Sequence, residues 1–83
     1  DPRMRLPRGL TGAQLVRALG RLGYAPTRQT GSHVRLTCHA PTQHHLTIPL
    51  HAPLRIGTLA AILAAVAEAS GLERDELMHR LFD

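Results

Sequence analysis

Apolar side chains recur at helical spacing near both ends of the chain and alternate with polar ones between them. The first helical stripe, in "LTGAQLVRALGRLG", consists of Leu15, Val16, Leu19 and Leu22. Thr11, followed three residues later by Gln14, has the pattern of a capping box, and Gly23 is typical of a helix end. The pattern therefore predicts a first helix that starts directly after Thr11.

Two strands are predicted after this helix. "YAPTRQ" is typical of a short edge strand, because Pro26 cannot donate a hydrogen bond to a central ladder, and Thr30 with Gly31 is predicted to form the next turn. "SHVRLTC" then alternates strictly between apolar and polar residues. The apolar set (Val34, Leu36, Cys38) is expected to face the core and the polar set (His33, Arg35, Thr37) to face solvent.

The third strand and the C-terminal helices follow the same logic. "HHLTIP" places Leu46 and Ile48 inward and His45 and Thr47 outward. A second helix is predicted with Thr58 as its N-cap and Ser70–Gly71 as its end, and its inward stripe is Leu59, Ile62, Leu63 and Val66. "ERDELMHRLF" predicts a last short helix with Leu77 and Leu81 inward.

These elements predict a single α+β domain in the order α-β-β-β-α. It has a three-stranded antiparallel sheet with helices on one face and a short helix at the C-terminal end. We expect the domain to span residues 4–83, with Met4 as a natural start and residues 1–3 as an extension before it. Eighty-three residues leave room for one modest core and no second domain.

The charge is distributed unevenly along the chain. The chain contains ten arginines and no lysine, and residues 2–67 contain eight of these arginines but no Asp or Glu. Five of the six acids lie in the last sixteen residues. Arginine presents a forked donor that matches phosphate, so this basic body predicts a polyanionic partner. Codon usage would account for the missing lysines but not for the missing carboxylates.

Cysteine and hydrophobicity bear on location and on metal binding. The only cysteine, Cys38, cannot form an internal disulfide, and no stretch resembles a signal peptide or a membrane span, so we expect a cytoplasmic protein. Cys38 with His39, His44 and His45 raises the possibility of zinc. The strand alternation argues against it, because Cys38 is inward and His45 outward, and we expect no metal site.

The missing carboxylates also restrict the chemistry open to a nucleic-acid enzyme. Metal-dependent nucleases hold their cations with clustered Asp and Glu, so cleavage by this chain is expected to be metal-independent. Histidine titrates near neutrality and can serve as general acid or base. RNA supplies its own nucleophile, the ribose 2′-OH, which makes RNA the expected substrate.

His33 is the best-placed candidate for this role. The small residues Gly31 and Ser32 precede it at the rim of the sheet, and Arg35 shares its face. A lone strand histidine is more often structural, so this alternative remains open. His45 and His51 are further candidates for substrate binding or proton donation, and His79 is expected to be merely solvated. Arg55, before the second helix, suggests a phosphate-binding helix start, although ordinary capping explains the same residues.

Three stretches of the chain together resemble a known family: "LPRGLTGAQLVRALGRLGY", "RQTGSHVRL" and "LTIPLHAPLRIGTLAAIL". The glycine-serine-histidine strand entry, followed by a Pro-Leu-His loop and a Gly-Thr-Leu helix start, resembles the HicA (YcfA-like) toxins of type II toxin–antitoxin pairs. This sequence departs from the family pattern at Val34, where a second histidine is common, and at Ala52, where a lysine is common.

The resemblance implies a double-stranded-RNA-binding-domain-like fold and an mRNA interferase, an endoribonuclease that cuts messenger RNA. It places the catalytic histidine at His33 and implies neutralisation by a HicB antitoxin that covers it. Substrate contacts are expected from Arg28, Ser32, Arg35, His45, His51 and Arg55. The alternatives are an RNA-binding module without catalysis and an inactivated toxin that retains antitoxin binding.

Overall fold

The chain folds as an α+β domain around one three-stranded antiparallel sheet. The computed structural model describes residues 6–50 and 53–83. The elements are α1 (Gly12–Leu19) with a 3₁₀ turn (Gly20–Leu22), β1 (Ala25–Thr30), β2 (His33–Cys38), β3 (His44–Pro49), α2 (Ile56–Ser70) and α3 (Arg74–Phe82). The strand order is β1-β2-β3. This is the α-β-β-β-α order predicted from the sequence, and α3 is the predicted short helix at the C-terminal end.

The start of α1 follows its sequence signal closely. The Thr11 hydroxyl accepts a hydrogen bond from the Gln14 N–H at 3.1 Å, and the Gln14 side-chain oxygen accepts one from the Thr11 N–H at 2.9 Å. The predicted capping box is therefore confirmed, and it satisfies two donors that would otherwise lack partners. At the other end, Gly23 adopts the left-handed conformation, with φ 92°, that terminates the helical segment.

The predicted inward stripes meet in a single core on one face of the sheet. Its fully buried side chains are Leu15, Leu19, Leu36, Ile48, Leu59, Val66 and Leu77. They come from all three helices and from β2 and β3, so the helices cover one face of the sheet and leave the other open. β1 is exposed along its whole length, which is consistent with the edge position predicted from Pro26.

Two element boundaries differ from the sequence prediction. α2 starts at Ile56, so Arg55 and not Thr58 is its N-cap, and no side chain caps it. Thr58 instead lies in the first helical turn. The packing of Leu54 and Leu59 in the core, and not the position of the best capping residue, determines where the helix starts. The first hairpin turns at Gly31 and Ser32, not at Thr30, since Thr30 still pairs with His33.

The N-terminal ends of α1 and α2 lie at the same end of the sheet. A Cβ atom at Gly12 would come within 2.1 Å of the Pro49 carbonyl oxygen, so only glycine permits this approach. Thr11 forms a bridge with Pro53, and the Leu54 N–H donates to the Leu10 carbonyl at 2.7 Å. These contacts join both helix starts to the end of β3 that pairs with His33.

No single helix among residues 6–50 and 53–83 is long and apolar enough to cross a membrane. Only α2 and α3 taken together, bent by 106° where they meet, reach the length and composition of a span.

Candidate functional site

The open face of the sheet, here called the outer face, carries polar residues from all three strands. Register places them in rows: Thr30 opposite His33, and Arg28 opposite Arg35. On the other side of β2, Arg35 lies opposite Thr47, and Thr37 lies opposite His45. Directly opposed side chains in an antiparallel pair have Cβ atoms about 5 Å apart. The outer face is therefore a continuous polar surface built by three short strands.

His33 occupies the rim of this face, as the first residue of β2. Gly31 has a φ of 58°, a left-handed conformation that lets the chain reverse just before it. The carbonyl of Ser32 accepts a hydrogen bond from the Leu50 N–H at 2.6 Å, which ties the turn to the end of β3. His33 itself is exposed. The backbone around it is thus fixed while its ring remains accessible to a substrate.

A shallow groove of about 240 Å³ surrounds His33. Its lining consists of Arg28, Thr30, His33, Arg35 and Thr47. The structure therefore brings together three of the residues predicted from the sequence, namely the catalytic candidate and two arginines. Both arginines are exposed, and their guanidinium groups can donate paired hydrogen bonds to phosphate oxygens.

Arg28 and Arg35 are paired directly across the β1–β2 ladder. Like charges in directly opposed positions destabilise a sheet, and no Asp or Glu occurs in residues 25–49 to offset them. The two-residue turn at Gly31 and Ser32 sets this pairing, and a β-bulge between Pro26 and Arg28 shifts the register only beyond it. The arrangement lowers the stability of the free protein and concentrates positive charge beside His33, as expected where a polyanion binds.

The next row of the outer face is a chain of hydrogen bonds. Thr27, at the bulge, lies 2.9 Å from Thr37 between hydroxyl oxygens, and Thr37 lies 2.9 Å from Nδ1 of His45. Thr37 was predicted to face solvent. It lies on the predicted face but is 5 % exposed, because the bulged Thr27 and His45 cover it from either side.

His45 lies far from His33 on the same face. His33 pairs with Pro49, and His45 is four residues earlier on β3, which places it about 14 Å away along the strand at ~3.4 Å per residue. One phosphate cannot contact both rings at that separation. The two histidines therefore act on different parts of any bound chain.

Two of the remaining predicted substrate contacts, Ser32 and Arg55, lie at the same end of the sheet as His33. Ser32 directly precedes it in the turn, and Arg55 is the exposed N-cap of α2, at the same end of the sheet. His51, predicted as a further contact, lies outside the described residues, as does Ala52. Whether Ser32, His51 and Arg55 bind substrate stays a prediction.

A second cavity, of about 260 Å³, lies at the other end of the sheet and was not predicted. It includes Tyr24, whose hydroxyl lies 2.7 Å from Nδ1 of His44, and the buried Cys38. Burial raises the pKa of the Tyr24 phenol, and the nearby Cys38 raises it further. His44 thus has an internal partner on the core side. The sequence carried one signal for this position, the alternation along β3, which puts His44 on the same face as Leu46 and Ile48.

Possible metal ligands are dispersed. Within residues 6–50 and 53–83, no three His, Cys, Asp or Glu side chains come close enough together to hold a metal ion. Cys38 lies on the core side of the sheet and His45 on the outer face, as the alternation predicted. His79, on α3, is exposed and pairs with the Asp83 carboxylate one turn later.

Comparison with known proteins identifies the family. The model of a family described as the HicA toxin of bacterial toxin–antitoxin systems matches residues 12–69, which is more than half of the chain. The chain belongs to the HicA toxin family. No curated protein matches it significantly. The same is true of the solved structures.

The HicA match covers α1, the whole sheet and α2 up to its penultimate residue. The outer face, the groove around His33 and the helix start at Arg55 therefore all lie within it. The segment from Glu73 to Asp83, which contains α3 and four of the six acidic residues, lies beyond the matched region. The basic surface thus belongs to the part of the chain shared with other HicA toxins.

Proposed function

We propose that this HicA toxin is a metal-independent endoribonuclease that cleaves messenger RNA. The observation that carries the proposal is the placement of His33 in an open groove beside the Arg28–Arg35 pair, on a sheet without carboxylates. Such a groove attracts phosphate and offers a base beside it. The substrate then supplies the nucleophile.

In the proposed reaction, His33 removes the proton from the ribose 2′-OH as the oxygen attacks the adjacent phosphorus. The bond from phosphorus to the 5′-oxygen breaks, and that oxygen takes up a proton. The products are a 2′,3′-cyclic phosphate and a 5′-OH end. The arginines stabilise the additional negative charge that the phosphorane carries in the transition state. His45 is too distant to donate the leaving-group proton, so water and His51 are the remaining candidates.

The decisive test is cleavage of RNA by purified protein in excess chelator, with analysis of the product ends. His33→Ala should reduce the rate roughly 10²- to 10⁴-fold, the usual worth of a general acid or base, and should barely change RNA binding. His79→Ala is the matched control, because His79 lies on α3 and should leave the rate unchanged. Intact RNA in chelator, or ends other than a cyclic phosphate, would contradict the mechanism.

A second function, RNA binding without cleavage, is favoured by one observation. His33 is the only acid–base side chain that lines the described groove, so a general acid is not evident there. This alternative predicts salt-dependent binding by RNA that stays intact. A related possibility, an inactivated toxin that retains antitoxin binding, predicts harmless expression. Growth arrest that His33→Ala relieves would exclude both.

The partner and location follow from the family and remain proposals. A HicB antitoxin would neutralise the toxin by covering His33 and the outer face, and both proteins would act in the cytoplasm, where mRNA is. A complex in which the antitoxin blocks cleavage should form less readily when Arg28 and Arg35 are both replaced by Gln. Unchanged affinity of that double variant for HicB would place the antitoxin elsewhere.

A further inference from the structure

The hydrogen-bond chain beneath His45 assigns the position of its proton. Only one placement of the protons makes all three contacts of this chain hydrogen bonds, and in it the single hydroxyl proton of Thr27 points to the Arg35 carbonyl 3.3 Å away, because a carbonyl can only accept. The bond between Thr27 and Thr37 must then use the Thr37 proton. Thr37 has none left, so in its contact with His45 the Nδ1 atom is the donor.

This assignment leaves one nitrogen of His45 as an acceptor. In the neutral ring a proton on Nδ1 leaves a lone pair on Nε2. His45 is exposed on the outer face, so that lone pair is presented to the surface that also carries Arg28 and Arg35. Thr37, at 5 % exposure, has little freedom to turn away and release the ring. The network therefore holds a ring-nitrogen acceptor in a fixed position on a face whose two arginines can only donate.

We propose that His45 forms a subsite for RNA remote from the cleaved bond, in which Nε2 accepts a hydrogen bond from a nucleotide donor. The inference rests on the proposed function, since it assumes RNA on the outer face. The separation of about 14 Å from His33 corresponds to roughly four stacked nucleotides at ~3.4 Å each. The donor is a ribose 2′-OH or a base amino group. His45 is thus a specificity residue and not a partner in proton transfer.

The tautomer can be measured without RNA. Nitrogen chemical shifts of His45 in the folded protein, at a pH where the ring is neutral, should show the proton on Nδ1. Thr37→Val removes the hydroxyl with little change in shape and should shift the ring toward the Nε2-protonated form that is favoured in solution. A neutral His45 protonated on Nε2 in the wild type would overturn the assignment.

Two substitutions test the subsite, because each keeps a polar atom near only one of the two ring nitrogens of His45. Asn places its polar atoms near the position of Nδ1, so His45→Asn keeps a group for Thr37 and loses the outward acceptor. Gln reaches the position of Nε2, so His45→Gln restores that acceptor and loses the bond to Thr37. Both are made with His33→Ala so that RNA stays intact, and affinity for a single-stranded RNA of mixed sequence is measured.

His45→Asn should weaken binding roughly 3- to 10-fold, the usual worth of one hydrogen bond, and His45→Gln should bind nearly as the parent does. Equal affinity of the Asn variant and the parent would overturn the proposal, and so would equal losses in both variants. Failure of the proposed function would give a different result. The wild-type protein would leave RNA intact, while the RNA affinities of the Asn and Gln variants would still differ.

Modified RNAs distinguish the two donors. A 2′-O-methyl RNA cannot donate from the ribose, so it should remove the difference between the parent and His45→Asn if the 2′-OH is the donor. RNA whose adenines, guanines and cytosines all lack the exocyclic amino group should do so if a base amino group is the donor. Persistence of the full difference with both modified RNAs would exclude both donors and would overturn the subsite.

Discussion

Replacement of Arg28 by Gln should stabilise the free protein and weaken its binding to RNA. Arg28 lies directly opposite Arg35, and no carboxylate on the sheet offsets the two charges. At about 6 Å in a water-like dielectric, two unit charges repel by about 0.7 kcal/mol. Salt at 0.15 M, with a Debye length of about 8 Å, reduces this to roughly 0.3 kcal/mol.

Removal of this repulsion should raise the melting temperature by roughly 1 to 6 °C, since a domain of this size gains about 4 to 8 °C per kcal/mol. RNA binding should move in the opposite direction, because one phosphate contact is lost. The slope of log K against log salt for single-stranded RNA should fall by about 0.7. Thermal denaturation and fluorescence anisotropy between low and moderate salt measure the two effects, with His33→Ala added to prevent cleavage.

Arg80→Gln is the matched control, because it removes the same charge from α3, on the other side of the molecule. Its guanidinium bonds Glu76 at 2.9 Å in an exposed pair, which contributes little to stability. This variant should melt no higher than the wild type and keep its salt slope. A lower melting temperature for Arg28→Gln would refute the repulsion. Equal changes in RNA binding for both variants would mean that net charge, and not the groove, binds RNA.

Further predictions concern the framework around the groove. Gly12→Ala should cost about 1 to 3 kcal/mol in the free energy of unfolding by urea, since its Cβ would meet the Pro49 carbonyl, whereas Gly20→Ala, with open space around it, should be neutral or stabilising. A Gly12→Ala protein as stable as Gly20→Ala would refute the close approach. Tyr24→Phe should reduce the loss of stability at alkaline pH. The raised pKa of Tyr24 stabilises the fold below the ordinary value of 10.0 and this contribution is lost as the pH rises through the folded value, so equal alkaline profiles would contradict it.

Alternation along β2 was sufficient to predict one part of the site. It placed His33 and Arg35 on the same exposed face, and the structure has them there. Helix spacing and the capping box likewise predicted α1 correctly. These features are local, since each depends on residues a few positions apart in the sequence. The charge distribution, also read from the sequence, indicated that the body of the domain is basic.

The position of Arg28 required the register between strands. The turn at Gly31 and Ser32, predicted one residue too early, places Arg28 opposite Arg35. Pro26 indicated an edge strand but not the bulge that follows it, which brings Thr27 over Thr37. The sequence therefore predicted an exposed Thr37 where the structure buries it. The prediction of Thr58 as the N-cap was wrong for a related reason, because the packing of Leu54 and Leu59 determines where α2 begins.

The bulge links the stability of β1 to the chemistry of the outer face. One extra residue on an edge strand costs ladder hydrogen bonds. That residue, Thr27, accepts the hydrogen bond that orders Thr37 and, through it, His45. The opposed arginines have a different origin, since the two-residue turn before β2 sets their register. A sheet without the bulge would keep the arginine pair beside His33 but would lose the fixed acceptor at His45. The proposed RNA substrate, spanning the face from one histidine to the other, would account for both local costs in β1.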